Sequence, residues 1–202
     1  MSIDVLLPLL AILILSLSFH EAAHAWTANR LGDPTARQLG RLTLNPVPHV
    51  DVIGTLVFPI LAMISNFPLI GWAKPVPVNM RNLKAPRRDF GIVALAGPVS
   101  NLILATGFAI VLAVAPVEVG TMPWLFLLQT VQLNVLLAVF NLLPVPPLDG
   151  GNVLAGLLPE GAARLLDALR PFGIIILYAL MLSGVFRVIV LPVYEEIVSW
   201  LI

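Results

Sequence analysis

Long apolar stretches constrain this chain more than any other feature of its sequence. One runs from Val5 to about Ala28, and two more occupy Phe90–Pro116 and Trp124–Leu143. Each reaches the ~20 residues that an α-helix needs to cross the hydrocarbon core of a bilayer. Because 59% of the residues are hydrophobic and 11% are charged, against roughly 25% charged in soluble domains, the sequence predicts a polytopic membrane protein.

Two further apolar segments complete the predicted architecture. Val52–Ile70 is interrupted by prolines, and Pro171–Pro192 is predicted to be the last span, followed by an interfacial segment from Val193 to Ile202. The fold class is therefore an all-α polytopic membrane protein, a helical bundle of about five or six membrane segments. Residues 1–202 leave no room for a separate soluble domain and are predicted to form one domain.

A short extended element is expected after the second apolar segment. Within Gly71–Val78, prolines at alternate positions, Pro75 and Pro77, forbid a helix and favour extended backbone. The segment before it should enter the membrane and return before Asn79. The amide-bearing edge of such a membrane-associated extended or β element can hold a substrate peptide. The alternative is a plain connector.

Two histidines and a glutamate near the end of the first apolar stretch point to metal chemistry. In a helix, His20 and His24 lie one turn apart, and Glu21 can face the same point. Neutral imidazoles ligate zinc, and a carboxylate beside the metal can take a proton from the attacking water. The alternative is that these are satisfied core residues of a bundle helix.

The third ligand is predicted to be Asp149. The chain has no cysteine, and a catalytic zinc usually has three protein ligands. Asp149 follows the proline cluster Pro144–Pro147, which must unwind the chain where backbone lines a cavity or is buried in protein. Its alternative role is to cap a short helix, Asn152–Leu158.

The remaining histidine, His49, lies in a polar connection beside Asp51. It could be a metal ligand or a residue that supports one of the ligands, but a loop histidine at a membrane interface is more often neither. Ala96–Asn101 consists mainly of small residues that let membrane helices pack closely, and packing is the interpretation preferred for it.

With these motifs the chain resembles the site-2 proteases, which are intramembrane zinc metalloproteases, and it looks like a compact form without soluble regulatory modules. The pattern Asn-x-x-Pro-x-Pro-x-Leu-Asp-Gly is the most specific part of the resemblance. The apolar segment before the extended element is a departure from the shared helical core. The matching stretches are His20–His24, Gly71–Val78, Ala96–Pro98 and Asn141–Gly150.

The resemblance implies specific roles. His20, His24 and Asp149 would bind one Zn²⁺ per chain, Glu21 would be the catalytic base, and Asn141 would hold the substrate or stabilise the oxyanion. The implied partners are a transmembrane protein substrate and the lipid bilayer, with no nucleic acid, and the oligomeric state stays undetermined.

This set of residues is compatible with three functions. The leading one is hydrolysis of peptide bonds in or near transmembrane segments by zinc-activated water. A non-proteolytic zinc-binding scaffold has no use for Glu21, and a metal transporter needs ligands along a path rather than at one depth.

The basic residues predict a multi-pass protein of the plasma membrane with its site toward the cytoplasm. They are Arg30, Arg37, Arg41, Arg81, Lys84, Arg87, Arg88, Arg164 and Arg170.

Overall fold

The computed structural model describes residues 3–65 and 72–202, and the described residues are mainly helical. Residues 66–71, which include the end of the second apolar segment and Gly71, lie outside the described residues. Short helical turns occur at Val52–Val57 (π), Met80–Asn82 and Arg170–Phe172 (both 3₁₀). The α-helices are α1 (Ile3–Leu31), α2 (Thr35–Gln38), α3 (Phe58–Ser65), α4 (Pro86–Val114), α5 (Met122–Asn141), α6 (Asp149–Leu157), α7 (Glu160–Leu169), α8 (Gly173–Leu182) and α9 (Val185–Leu201).

Local signals explain where the long helices begin and end. Proline occupies the first turn of both α4 and α5, where its missing N–H needs no partner. The Asp89 carboxylate in the first turn of α4 accepts the backbone N–H of Ala85, 2.9 Å away, and so satisfies the helix start. Pro116 follows the last turn of α4, where the helix ends.

The helices that surround the predicted site pack closely. α4 contacts α1, α5 and α6, and α9 packs on α5. The core between α4, α5 and α9 is built from small and β-branched side chains, which let the helix backbones approach one another. Its buried members are Ala105, Ala109, Val131, Val135, Val139 and Val190.

Four helical stretches of the described chain are long and apolar enough to cross a membrane. The predicted total of five or six membrane segments is not confirmed beyond these four stretches of the described residues. The fourth stretch combines α7, the adjoining 3₁₀ turn and α8. The four stretches are Leu7–Leu31, Pro86–Val114, Met122–Asn141 and Glu160–Leu182.

The prediction of one last span over Pro171–Pro192 is wrong. The helix is interrupted between α8 and α9 at Gly184, whose φ of 79° lies in the left-handed region that favours glycine. The residues from 193 onward are not a separate interfacial segment either, because they continue α9. Val190 of α9 is fully buried against α4 and α5, so this helix belongs to the bundle.

The described residues on the two sides of the gap at 66–71 contact each other. Gly54 accepts a hydrogen bond from the Trp72 N–H (3.1 Å), and the Thr55 hydroxyl donates to the Trp72 carbonyl (2.8 Å). The rings of Phe58 and Trp72 also contact each other, with centroids 5.2 Å apart. Residues 54–58 are therefore joined to Trp72, and the entry and return of the segment between them stay a prediction.

Residues 72–79, the return segment, do not form the predicted β element. No β-strand occurs in residues 3–65 or 72–202. Two amides of the return segment, two residues apart, nevertheless donate hydrogen bonds to other parts of the protein. The Lys74 N–H donates to the His49 carbonyl and the Val76 N–H to the Glu21 carboxylate, both at 2.8 Å. The edge that was expected to receive a substrate is thus bonded to the protein itself.

Asp33 ties the end of the return segment to the end of α1. It is fully buried, and its carboxylate accepts hydrogen bonds from the Thr35 N–H and hydroxyl, the Asn79 N–H and the Asn82 amide. Burial raises the pKa of Asp33, but these hydrogen bonds together lower it by more than burial raises it. The pKa of Asp33 therefore lies below its ordinary value. Thr35 and Asn82 therefore lie at the same end of the bundle.

Replacing Asp33 with asparagine is expected to destabilise the protein by about 1.5–3 kcal/mol, the range for a hydrogen bond to a charged group. The thermal unfolding midpoint of the purified protein in detergent measures the change. Because the folded-state pKa is depressed, the carboxylate stabilises the fold above its unfolded pKa, and this contribution disappears as the pH falls through the folded value. Glu118→Gln, in an exposed loop, is the control. Equal midpoints for wild type and Asp33→Asn would contradict the anchoring role.

Candidate active site

The two histidines and the glutamate of the first apolar stretch lie together on α1. His20, Glu21 and His24 are all buried, with 4%, 8% and 8% of their surfaces exposed. One ligand atom from each lies within 4.8 Å of the others, and the two imidazole centroids are 4.6 Å apart. The predicted helical spacing therefore produces one compact cluster inside the bundle.

Asp149 completes the cluster from the other end of the chain. Its Oδ2 lies 3.0 Å from His20 Nε2 and 3.3 Å from His24 Nε2. Ligand atoms in a tetrahedral zinc site with bonds of 2.0–2.1 Å are roughly 3.3–3.4 Å apart. Asp149 is the first residue of α6, and Leu148 occupies the N-cap, so the carboxylate faces the imidazoles rather than capping the helix.

The opposite nitrogens of both imidazoles are bonded to acceptors. His20 Nδ1 lies 2.6 Å from Asn101 Oδ1, and His24 Nδ1 lies 2.7 Å from the Val93 carbonyl oxygen. In the neutral imidazoles, the form that binds a metal, Nδ1 therefore carries the proton and Nε2 directs a lone pair toward Asp149. Two imidazole lone pairs and a carboxylate repel one another unless a cation lies between them. This donor set fits a zinc ion.

Gly97 allows α4 to approach the two imidazoles. A Cβ atom at this position would lie 2.5 Å from Nε2 of both His20 and His24. Any larger residue would therefore enter the space between the metal-facing nitrogens. Gly97, part of a stretch interpreted from sequence as helix packing, therefore serves the site as well.

Gly150 brings Asp149 into position. A Cβ on Gly150 would collide with the carbonyl oxygens of Leu142 and Leu143, at the end of α5. The start of α6 can press against that end only because the side chain is missing. The unwound, proline-rich connection thus turns the chain so that Asp149 points back toward α1.

Glu21 has a different environment from His20, His24 and Asp149. Its Oε2 accepts the hydrogen bond from the Val76 N–H, and the positive charge of Arg41 interacts with it. Arg41 is buried, and its guanidinium donates to the Lys74 carbonyl. The return segment and Arg41 together therefore support the carboxylate beside the histidine pair.

Neither His49 nor Asn141 makes a described hydrogen bond to the metal-facing groups. His49 Nε2 donates to the Thr43 carbonyl at 2.9 Å, which closes a polar loop. The Asn141 side chain donates to the Leu137 carbonyl on its own helix, also at 2.9 Å. Their proposed roles at the metal and the oxyanion stay predictions.

The sequence interpretation missed the supporting residues. Asn101, Gly97 and Arg41 were not assigned to the site, although Asn101 is a polar residue in the middle of an apolar helix. Polar groups at that depth are expensive and usually have a function. That signal was present in the sequence but was outweighed by the small neighbours of Asn101.

Comparison with known proteins points to a family of zinc metalloproteases. Residues 115–183 match the model of Peptidase family M50. The chain is 41% identical over 186 residues to "Putative zinc metalloprotease YwhC" of Bacillus subtilis, covering 88% of this chain and 82% of that protein. It is 31% identical over 171 residues to "Putative zinc metalloprotease Rip2" of Mycolicibacterium smegmatis, covering 84% of this chain and 64%, under two thirds, of that protein. No solved structure matches the chain significantly.

Gly97→Ala is expected to abolish or strongly reduce zinc binding, because the added methyl group occupies the space between the two imidazoles. Metal analysis of the purified protein should fall from about one zinc per chain toward none. Gly107→Ala is the matched control on the same helix, since a Cβ there meets nothing within 4 Å. Full zinc content in Gly97→Ala would contradict the close approach.

Proposed function

Because the chain belongs to peptidase family M50, the site-2 protease family, we propose that it is an intramembrane zinc metalloprotease. Its reaction would be hydrolysis of peptide bonds in or near the transmembrane segments of other membrane proteins. One observation carries the proposal. His20, His24 and Asp149 converge beside Glu21 within the apolar helix α1 and its neighbours.

The residues divide the work of hydrolysis between them. His20 Nε2, His24 Nε2 and Asp149 Oδ2 would hold the zinc ion, which when bound supplies Lewis-acid activation of water at neutral pH. Glu21 would take a proton from the attacking water and deliver it to the leaving amine. The Val76 N–H holds one oxygen of this carboxylate, so the other oxygen remains available to the proton.

The surroundings of the site favour a substrate that comes from the membrane. The candidate base and the histidines lie on Leu7–Leu31, one of the stretches apolar enough to cross a bilayer. A peptide bond reaching them must come from a segment that is stable in an apolar environment. Because cleavage requires accessible backbone, a transmembrane helix would have to unwind locally before it is cut.

A zinc-binding scaffold is the second candidate. It would use the same three metal-facing groups to organise a membrane complex without cutting its partners. The carboxylate of Glu21 argues against it, since a base held beside a metal by the Val76 N–H and the charge of Arg41 has no use in a scaffold.

The orientation follows from the basic residues. Arg37, Arg81 and Arg87 belong to the same end of the bundle as the anchor at Asp33, and Arg87 pairs with Asp167 there at 3.2 Å. The loop at the other end of α4 contains Glu118 and no basic residue. By the positive-inside rule, the end with the basic residues would face the cytoplasm of a plasma-membrane protein.

Glu21→Gln is expected to fold, retain zinc and lose roughly 10²–10⁴-fold in cleavage rate, because an amide cannot accept the proton. The glutamine side-chain carbonyl can still accept the Val76 N–H, so the local fold should persist. Cleavage is measured on co-expressed, epitope-tagged reporters with a single transmembrane segment, and zinc is measured on the purified variant. Glu196→Gln, at an exposed position of α9, is the matched control.

Unchanged cleavage in Glu21→Gln would remove Glu21 from the role of base. Zinc binding by the wild type without cleavage of any reporter would favour the scaffold instead.

Single cysteines are expected to report opposite sides of the membrane at Gln38 and Val119, both of which are exposed. The chain has no native cysteine, so no background must be removed. A membrane-impermeant maleimide should label Val119→Cys in intact cells and Gln38→Cys only after permeabilisation. The reverse pattern would put the site toward the cell exterior.

A further inference from the structure

We infer that Asn134 is a positioning residue for the zinc site, acting through Asn101 on His20. This inference rests on the proposed zinc site and concerns how its first ligand is oriented. Asn134 lies on α5, belongs to none of the sequence motifs and does not contact the metal-facing nitrogens. It joins α1, α4 and α5 through buried hydrogen bonds.

The three helices share a continuous polar chain in the apolar bundle. From His20 Nδ1 it runs to Asn101 Oδ1 (2.6 Å), then from Asn101 Nδ2 to Asn134 Oδ1 (2.8 Å). Asn134 Nδ2 continues to the Ser16 hydroxyl (2.9 Å) and the Thr130 carbonyl (2.8 Å). Asn101 and Asn134 are both completely buried, so water does not compete for these bonds.

The direction of this chain follows from its last acceptor. The Thr130 backbone carbonyl can only accept, so Asn134 must turn its NH₂ group toward Thr130 and its oxygen toward Asn101. Asn101 must then present its NH₂ group to Asn134 and its oxygen to His20. His20 therefore carries its proton on Nδ1 and keeps the Nε2 lone pair for the metal.

Without Asn134, the Asn101 amide loses its main directional constraint. The one other described acceptor for its NH₂ group is the Ser16 carbonyl, at 3.4 Å, which is a weak contact. A rotated Asn101 would offer NH₂ to His20 Nδ1 and favour the tautomer whose Nε2 bears hydrogen. That tautomer cannot bind zinc through Nε2.

The repeat of four residues explains why the chain can form. Ser16 and His20 lie one turn apart on α1, as do Gly97 and Asn101 on α4, and Thr130 and Asn134 on α5. Each helix therefore presents two residues, one turn apart, at the place where the three helices meet. Asn134 closes this contact from α5, on the side of Asn101 away from the histidine.

The test measures zinc affinity in the purified protein by competition with a chromophoric chelator. Asn134→Leu, of similar size, is expected to weaken zinc binding roughly 10–100-fold, the usual effect of losing a partner that orients a ligand. The visible absorption of bound Co²⁺ should change with it. Gln132→Leu, on the same helix and outside this hydrogen-bonded chain, should leave both unchanged.

A second substitution separates orientation from packing. In Asn101→Asp/Asn134→Leu, either oxygen of the aspartate can accept the His20 Nδ1 proton, so rotation no longer selects the wrong tautomer. This double variant is expected to recover most of the zinc affinity that Asn134→Leu loses. A purely structural role for Asn134 predicts no such rescue.

Three results would overturn the inference. Wild-type affinity in Asn134→Leu would remove Asn134 from the site, and a loss that Asn101→Asp does not reverse would assign it to packing. Absence of zinc binding by the wild type would refute the zinc site itself. Because the wild type is measured first, this result is distinguished from a failure of the inference about Asn134.

Discussion

The close contact between α1 and α4 at Gly97 is the interaction on which the rest of the structure depends. The two helices run antiparallel, so two residues that are two turns apart on α4 meet two residues that are one turn apart on α1. Val93 contacts His24, and Asn101 contacts His20, with the glycine between them. Since a side chain at position 97 would enter the metal-facing space, the packing of the bundle and the formation of the site are the same event.

Burial makes each polar group in this bundle depend on a partner. An unpaired polar group away from water costs free energy, and His20, His24, Glu21 and Asp149 all have partners on other segments of the chain. Asp149 arrives through the unwound turn after α5, and the Glu21 carboxylate meets the return segment. Segments far apart in sequence are thereby held at fixed positions around α1.

The long helices and the histidine pair could be predicted because they depend on local patterns. Helical periodicity puts His20 and His24 on one face whatever surrounds them. The C-terminal span was predicted incorrectly because apolar composition alone does not reveal a break, and Gly184 supplies one through its left-handed backbone. The return segment was expected to pair as a strand, but its amides are bonded instead to a loop carbonyl and to Glu21.

By itself the sequence determined that the chain is a membrane helix bundle with a zinc-type motif, because hydrophobicity and helical spacing are properties of neighbouring residues. It also pointed to Asp149, since a proline-rich turn with a carboxylate is rare at that depth. Only the tertiary structure decided that Asp149 faces the histidines, that Gly97 leaves room between them, and that Asn101 contacts Nδ1 of His20. These facts depend on how separate helices meet, which no local pattern specifies.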